Sequence, residues 1–421
     1  MNRLKGYRVV VAGLRPAGFA LLALMLSACE VLQDSGDPVG RDHAPSAKRE
    51  AVEVLPDPIN RNVFFLEEPG QSVIGEPQLI TARYEDTFSD IAREYGLGYD
   101  ELVEANPGID PWLPGEGTRI LLPTQYVLPD APRTGIVLNI AAKRLFYYPH
   151  VEEGQRTMVL TYPVGIGRVG WNTPEGLARV VSKTENPTWT PPASVRREHA
   201  QQGDPLPAVV PPGPDNPLGS YALRLSLTSY LIHGTNKPYG VGMRVSHGCL
   251  RLYPENIAVL YALVEVGEPV NIINEPYLVG WRGGEVYLEA HPPLEEEQDI
   301  AAERLSLVLD IEQSKTGFFA EEYQREYAAA LAMAGLGVPV RVLQGGPQEV
   351  YARAQRVRNT VELAPPDSAG EGDSGAAAAA GDLVEDLVED LVEDLVEDPV
   401  EDFVEDPANA SSAAEEPVQG T

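Results

Sequence analysis

Residues 233–251 read HGTNKPYGVGMRVSHGCLR, and the rest of the chain can be read outward from them. The stretch sets Cys249 among two of the chain's six histidines. A free thiol has a pKa of about 8.5 and reacts as the thiolate, so at neutral pH it becomes a useful nucleophile only with a base beside it. His233 and His247 are the candidates. His247 stands two residues before Cys249, which on an extended strand puts both side chains on one face. His233 lies sixteen residues back, far enough for a neighbouring strand to return it to the sulfur. Gly240 and Gly242 ease the turn between them. Gly248 lets backbone approach a substrate and can aim amide N–H groups at a developing oxyanion. A free cysteine is ordinarily a buried core residue. Here the imidazoles, the glycines, Ser246 and Arg251 all converge on one thiol.

Around this stretch the pattern has period two. Ile136–Ile140, Lys143–Tyr148, Met158–Val164 and Leu177–Lys183 alternate or run apolar between Gly, Pro and Asn turns. Leu223, Leu225, Tyr230 and Ile232 lead a strand into His233; after the motif, Pro254 and Glu255 open a helix and Pro269–Ile273 reads as another strand. Many short strands without intervening helices predict a β-sandwich or partly open barrel over residues 134–275. The proline-rich segment 187–217 interrupts it, either as a substrate wall or as a surface excursion.

Two further units flank this domain. In residues 79–123 a strand at Leu79–Tyr84 precedes a helix capped by Asp86 or Thr87, with Phe88, Ile91, Ala92 and Tyr95 on one face. Tyr99, Leu102 and Val103 mark a second helix, and Arg119–Leu122 a closing strand. From residue 276 to 358 the chain becomes mostly helical after Pro292 and Pro293, with a strand at Val338–Leu343, and is expected to pack on the domain that holds the thiol. The expected architecture is therefore multidomain and mainly β.

The ends are of a different kind. Arg3, Lys5, Arg8 and Arg15 precede an apolar run, Ala17–Leu26, and then Leu26-Ser27-Ala28-Cys29, the pattern of a secretory signal over residues 1–28. About ten apolar residues fall short of the roughly 20 that a membrane span needs. Residues 29–60 read as a flexible polar tether. The net charge is −31, but nineteen Asp and Glu lie from Glu362 onward with no Lys or Arg among them, so most of the acidity is appended to the folded part. The tail, 359–421, carries a Leu-Val-Glu-Asp repeat from Asp382 to Asp398 and reads as a disordered, solvated segment. Without clustered Lys and Arg, nucleic acid is not an expected partner. No metal site is read either, because His43, His150, His199 and His291 are scattered without ligand spacing, and no cofactor is implied.

His233-Gly234-Thr235 followed by Ser246-His247-Gly248-Cys249 resembles the active-site signature of L,D-transpeptidases. TPEG (173–176), PTWTPP (187–192), PLPAVVPPGPDNPLGSYAL (205–223) and VPVRVL (338–343) are similar to its periplasmic Gram-negative branch. Residues 79–123 resemble a LysM module, with Glu85-Asp86-Thr87-Phe88 where a Gly-Asp-Thr-Leu type sequence is usual. LSAC resembles a lipobox, in which Cys29 is lipidated, and Glu30 after it fits outer-membrane retention.

The resemblance implies that Cys249 is the nucleophile and His233 its base, oriented by a backbone carbonyl. It makes His247 and Gly234 supports of the site and the N–H groups of Gly248 and Cys249 oxyanion donors. Ser246 is expected to hydrogen-bond locally. Arg251 either binds a substrate carboxylate or pairs with Glu255. The implied reaction is acyl transfer from a peptidoglycan tetrapeptide stem, with loss of D-alanine, to diaminopimelate of another stem or to lysine of a small outer-membrane lipoprotein. The implied location is the periplasm, with a lipid anchor in the outer membrane. Hydrolysis of the same thioester, or a non-catalytic tether between membrane and glycan, are the alternatives.

Overall fold

The strand that carries His233 belongs to a nine-stranded sheet, in a computed structural model that describes residues 55–362 except 60, 61, 69 and 152–154. The signal segment, Cys29, the tether up to residue 54 and the tail after Glu362 lie outside the described residues. In spatial order the strands are Val63–Phe65, Met158–Pro163, Arg144–Tyr148, Gly135–Asn139, Pro269–Ile273, Gly176–Glu185, Tyr221–Leu225, Leu231–His233 and Leu250–Arg251. Two neighbouring pairs are parallel: Pro269–Ile273 with Gly135–Asn139, and Leu231–His233 with Leu250–Arg251. Leu160 near one edge and Leu250 at the other share a single apolar core with Leu138, Leu223, Ile232 and Ile272. A sheet whose two ends meet one core must curl around it, and the helix Pro254–Leu263 fills the open side with Ile257 and Leu260. The edge strand Val63–Phe65 comes from before the LysM-like segment, so that segment is an excursion between two strands of the sheet.

That excursion has its own core. Gln78–Thr81 and Arg119–Leu122 pair antiparallel, and the helices Phe88–Glu94 and Tyr99–Ala105 cover them. Thr87 caps the first helix by accepting from the Asp90 N–H, while Asp86 turns instead to Arg83 and Asn359. Phe88, Ile91, Ala92 and Tyr95 are buried together, as their spacing predicts.

The C-terminal segment differs from its sequence reading in two ways. It begins with a hairpin, Tyr277–Arg282 and Glu285–Ala290, joined by Val340–Arg341 into a three-stranded sheet against the helices Ala301–Thr316 and Glu322–Ala334. Its apolar core also takes in Leu79, Ala105 and Leu121, so it packs on the LysM-like unit as well as touching the large sheet through Arg304 and Asn274. Gln355–Arg356 then adds a parallel strand beside Gln78–Thr81.

Buried charge ties the units together. Arg144, on the large sheet, donates to Glu101 at 2.6 Å from within the interface and lies over the Tyr126 ring at 4.2 Å. Lys143 bridges Asp100 and Glu104, and His291 lies between Glu104 and Glu289. Among the described residues no helix is long and apolar enough to cross a membrane.

Candidate active site

The parallel pairing of Leu231–His233 with Leu250–Arg251 sets His233 opposite Arg251 and Ile232 opposite Leu250. Ile232 and Leu250 face the core, so the alternate residues, His233 and Arg251, face away from it, and both line a cavity of about 500 Å³ with Cys249. His233 and Cys249, sixteen residues apart in sequence, thus line one cavity.

His247 arrives by a different route. The strand Arg244–Ser246 ends before it, and Gly248 has φ +103°, a conformation open to glycine. A Cβ at Gly248 would also stand 3.0 Å from the Tyr230 ring. His247 and Cys249 therefore do not lie on one extended strand, although both line the cavity. Ser246 organises the turn: its hydroxyl donates to the Cys249 carbonyl at 2.6 Å and accepts from the Gly248 N–H at 3.0 Å. This occupies the Gly248 N–H, one of the two expected oxyanion donors. Thr173, from the TPEG stretch, donates to the Gly248 carbonyl at 3.0 Å and accepts from Gly167.

His233 is buried, and its Nδ1 lies 2.6 Å from the Gly234 carbonyl. A carbonyl can only accept, so Nδ1 carries the proton and Nε2 keeps its lone pair. Burial, assisted by Arg251, pushes the His233 pKa down to about 3. Burial also raises the Cys249 thiol above its ordinary range, against the opposing pull of the Leu231 backbone, Arg251 and Arg224. Both groups are thus neutral at rest. The Cys249 Sγ lies 3.7 Å from the Ser229 carbonyl.

Arg251 does not pair with Glu255. The helix begins at Pro254, so the two are not helical neighbours, and Glu255 binds Arg93 of the LysM-like unit at 3.0 and 3.2 Å. The Arg251 Nε is buried without a hydrogen-bond partner among the described residues.

The proline-rich segment forms a wall of the cavity through Trp189, Pro192, Val195 and Pro217. Asn216 closes its base by donating to the Pro187 carbonyl at 2.7 Å. Its helix, Ala193–Gln201, carries Glu198, which ion-pairs with Arg168 and lies 3.0 Å from His247 Nε2. Hydrogen bonding to Arg168 lowers the Glu198 pKa, and burial lowers that of His247. Sequence reading missed Glu198, Arg168 and Trp171, whose ring meets His247 edge-on at 4.8 Å. No local spacing marks them. Among the described residues no cluster of His, Cys, Asp or Glu could hold a metal ion.

A thiol just before one strand and a neutral imidazole on the neighbouring strand, in a cleft whose lining has arginines and no carboxylate, fit a cysteine-dependent acyl-transfer enzyme. The L,D-transpeptidase catalytic domain (YkuD) matches residues 133–272, and the LysM domain matches 80–123. Escherichia coli K12 "Probable L,D-transpeptidase YcfS" is 42% identical over 266 residues, covering 62% of this chain and 82% of that protein. "Probable L,D-transpeptidase YbiS" from the same organism is 45% identical over 235 residues, covering 55% and 75%. "Probable L,D-transpeptidase ErfK/SrfK" is 38% identical over 290 residues, covering 68% and 92%. Among solved structures, the Ldtfm–avibactam carbamoyl enzyme aligns at 24% identity with a TM-score of 0.26, over 37% of this chain and 55% of that one. The chain belongs to the L,D-transpeptidase family.

Proposed function

We propose that the protein cleaves a peptidoglycan tetrapeptide stem at the carbonyl of meso-diaminopimelate and passes the acyl group to an amine. One observation carries this reading: Cys249 and a tautomerically fixed His233 share one cleft. His233 Nε2 takes the proton from Cys249 as sulfur attacks the carbonyl carbon. The C–N bond then breaks, D-alanine leaves with that proton, and a thioester remains. An acceptor amine attacks the thioester, gives its proton to His233, and the sulfur departs to be reprotonated. The Cys249 N–H is the oxyanion donor left free by the Ser246 turn. The acceptor is diaminopimelate of a second stem or lysine of a small outer-membrane lipoprotein. Lipidation of Cys29 holds the enzyme at the outer membrane in the periplasm, and the LysM unit binds glycan.

Purified protein incubated with tetrapeptide muropeptides should yield cross-linked dimers and free D-alanine, resolved by mass. Products heavier by one water with no dimer would assign hydrolysis instead. Unchanged muropeptides would leave the tether as the function. Cys249→Ala should abolish every new product, and a carbapenem adduct should map to Cys249.

A further inference from the structure

We infer that Arg224 reads a free carboxylate of the acyl donor, the one at the distal end of diaminopimelate, and so selects diaminopimelate over lysine stems. This rests on the donor proposed above.

The sheet register places the residue. Arg224 is paired with Leu231 and Ala222 with His233, while His233 is paired with Arg251. Paired residues project from the same face of a sheet. Leu223, Ile232 and Leu250 fill the core from the other face, so Arg224, His233 and Arg251 share the cleft face. Neighbouring strands lie about 4.8 Å apart, which puts Arg224 about 10 Å from the strand that follows Cys249. Arg251 lies two residues along the chain from the thiol, whereas Arg224 lies two strands across from it. The two guanidinium groups thus address the reacting centre from different directions.

Neither is neutralised by the protein. Arg224 makes no side-chain hydrogen bond or ion pair among the described residues, and the cavity lining contains no Asp or Glu. Arg93 and Arg244, by contrast, are paired with Glu255 and Glu296. Two unpaired arginines in a cleft suit a ligand with two carboxylates, because the planar guanidinium binds carboxylate through paired hydrogen bonds. The two residues that flank its scissile bond, diaminopimelate and D-alanine, carry one each. The terminal D-alanine carboxylate is close to the scissile carbonyl and falls to Arg251. The distal carboxylate of diaminopimelate is separated from that carbonyl by the length of its side chain and falls to Arg224. Lysine has no such group.

The test compares three donors, carrying diaminopimelate, its distal amide, or lysine, with D-alanine release as the readout. Wild type should prefer the free acid roughly 10- to 100-fold in kcat/KM, mainly through KM. Arg224→Gln should remove that preference by weakening use of the acid alone, and Arg224→Lys should restore part of it. Wild type that handles the acid and its amide equally overturns the inference, as does an Arg224→Gln enzyme that keeps the preference. Failure of wild type on all three donors instead overturns the proposed reaction.

Discussion

Cys249 should rest as a neutral thiol whose reactive thiolate fraction rises tenfold with each pH unit. Burial holds His233 down to about 3, and it pushes the thiol above its ordinary range. Both shifts disfavour a preformed thiolate–imidazolium pair relative to the neutral pair. At pH 7 the thiol is therefore largely un-ionised, and His233 stays unprotonated down to pH values far below neutral. The assay is alkylation by iodoacetamide, followed by intact mass, on a chain with Cys29→Ser so that Cys249 is the sole thiol. The logarithm of the rate should rise with unit slope from pH 6 to pH 8, without a shoulder near the usual histidine pKa of about 6.5. His233→Asn should leave this slope in place yet abolish acylation by a carbapenem, where the base moves a proton as the bond forms. A plateau in alkylation between pH 5 and 7 that disappears in His233→Asn would refute the neutral pair, because only a preformed ion pair produces it.

Three other outcomes follow from the contacts around the site. Glu101→Gln strands the buried Arg144 charge and should cost about 3–5 kcal/mol, read from the urea midpoint. Glu198→Ala unties the wall helix from Arg168 and His247, and should raise KM for the donor roughly tenfold with a smaller fall in kcat. His291 is lowered by burial but held up to about 9 by Glu104 and Glu289. Its pKa is higher folded than unfolded, so it contributes about 3 kcal/mol below pH 6.5, and this is lost as pH rises through 9. Urea midpoints of wild type and His291→Gln should therefore converge between pH 7 and 10; parallel curves would exclude the ion pairs as the cause.

What the sequence makes legible is set by range. The face of Phe88, Ile91, Ala92 and Tyr95 lies within two helical turns, and the apolar alternation around Ile232 lies within one strand, so local period is enough to place them. Ion pairs obey no such period. Arg251 and Glu255 are four apart, the spacing of helical partners, yet the helix begins between them and Glu255 meets Arg93, 162 residues away. Glu198 looks like one more charge in a proline-rich loop, and its contact with His247 crosses 49 residues. The turn at Gly248 is hidden for another reason: glycine permits positive φ without requiring it, and only the hydroxyl of Ser246, closing on Cys249, fixes which conformation is used. Glycine is equally silent about where the LysM unit meets the active site. Gly242 comes so close to Gly98 that a Cβ there would overlap the Gly98 Cα, and the Tyr99 N–H donates to the Val241 carbonyl at 3.3 Å. The loop joining His233 to Cys249 therefore rests backbone to backbone on the junction of the two LysM helices. Any side chain at Gly242 must push that junction away, and the thiol loop with it, so the LysM unit and the catalytic loop are mechanically joined at a contact that neither motif contains.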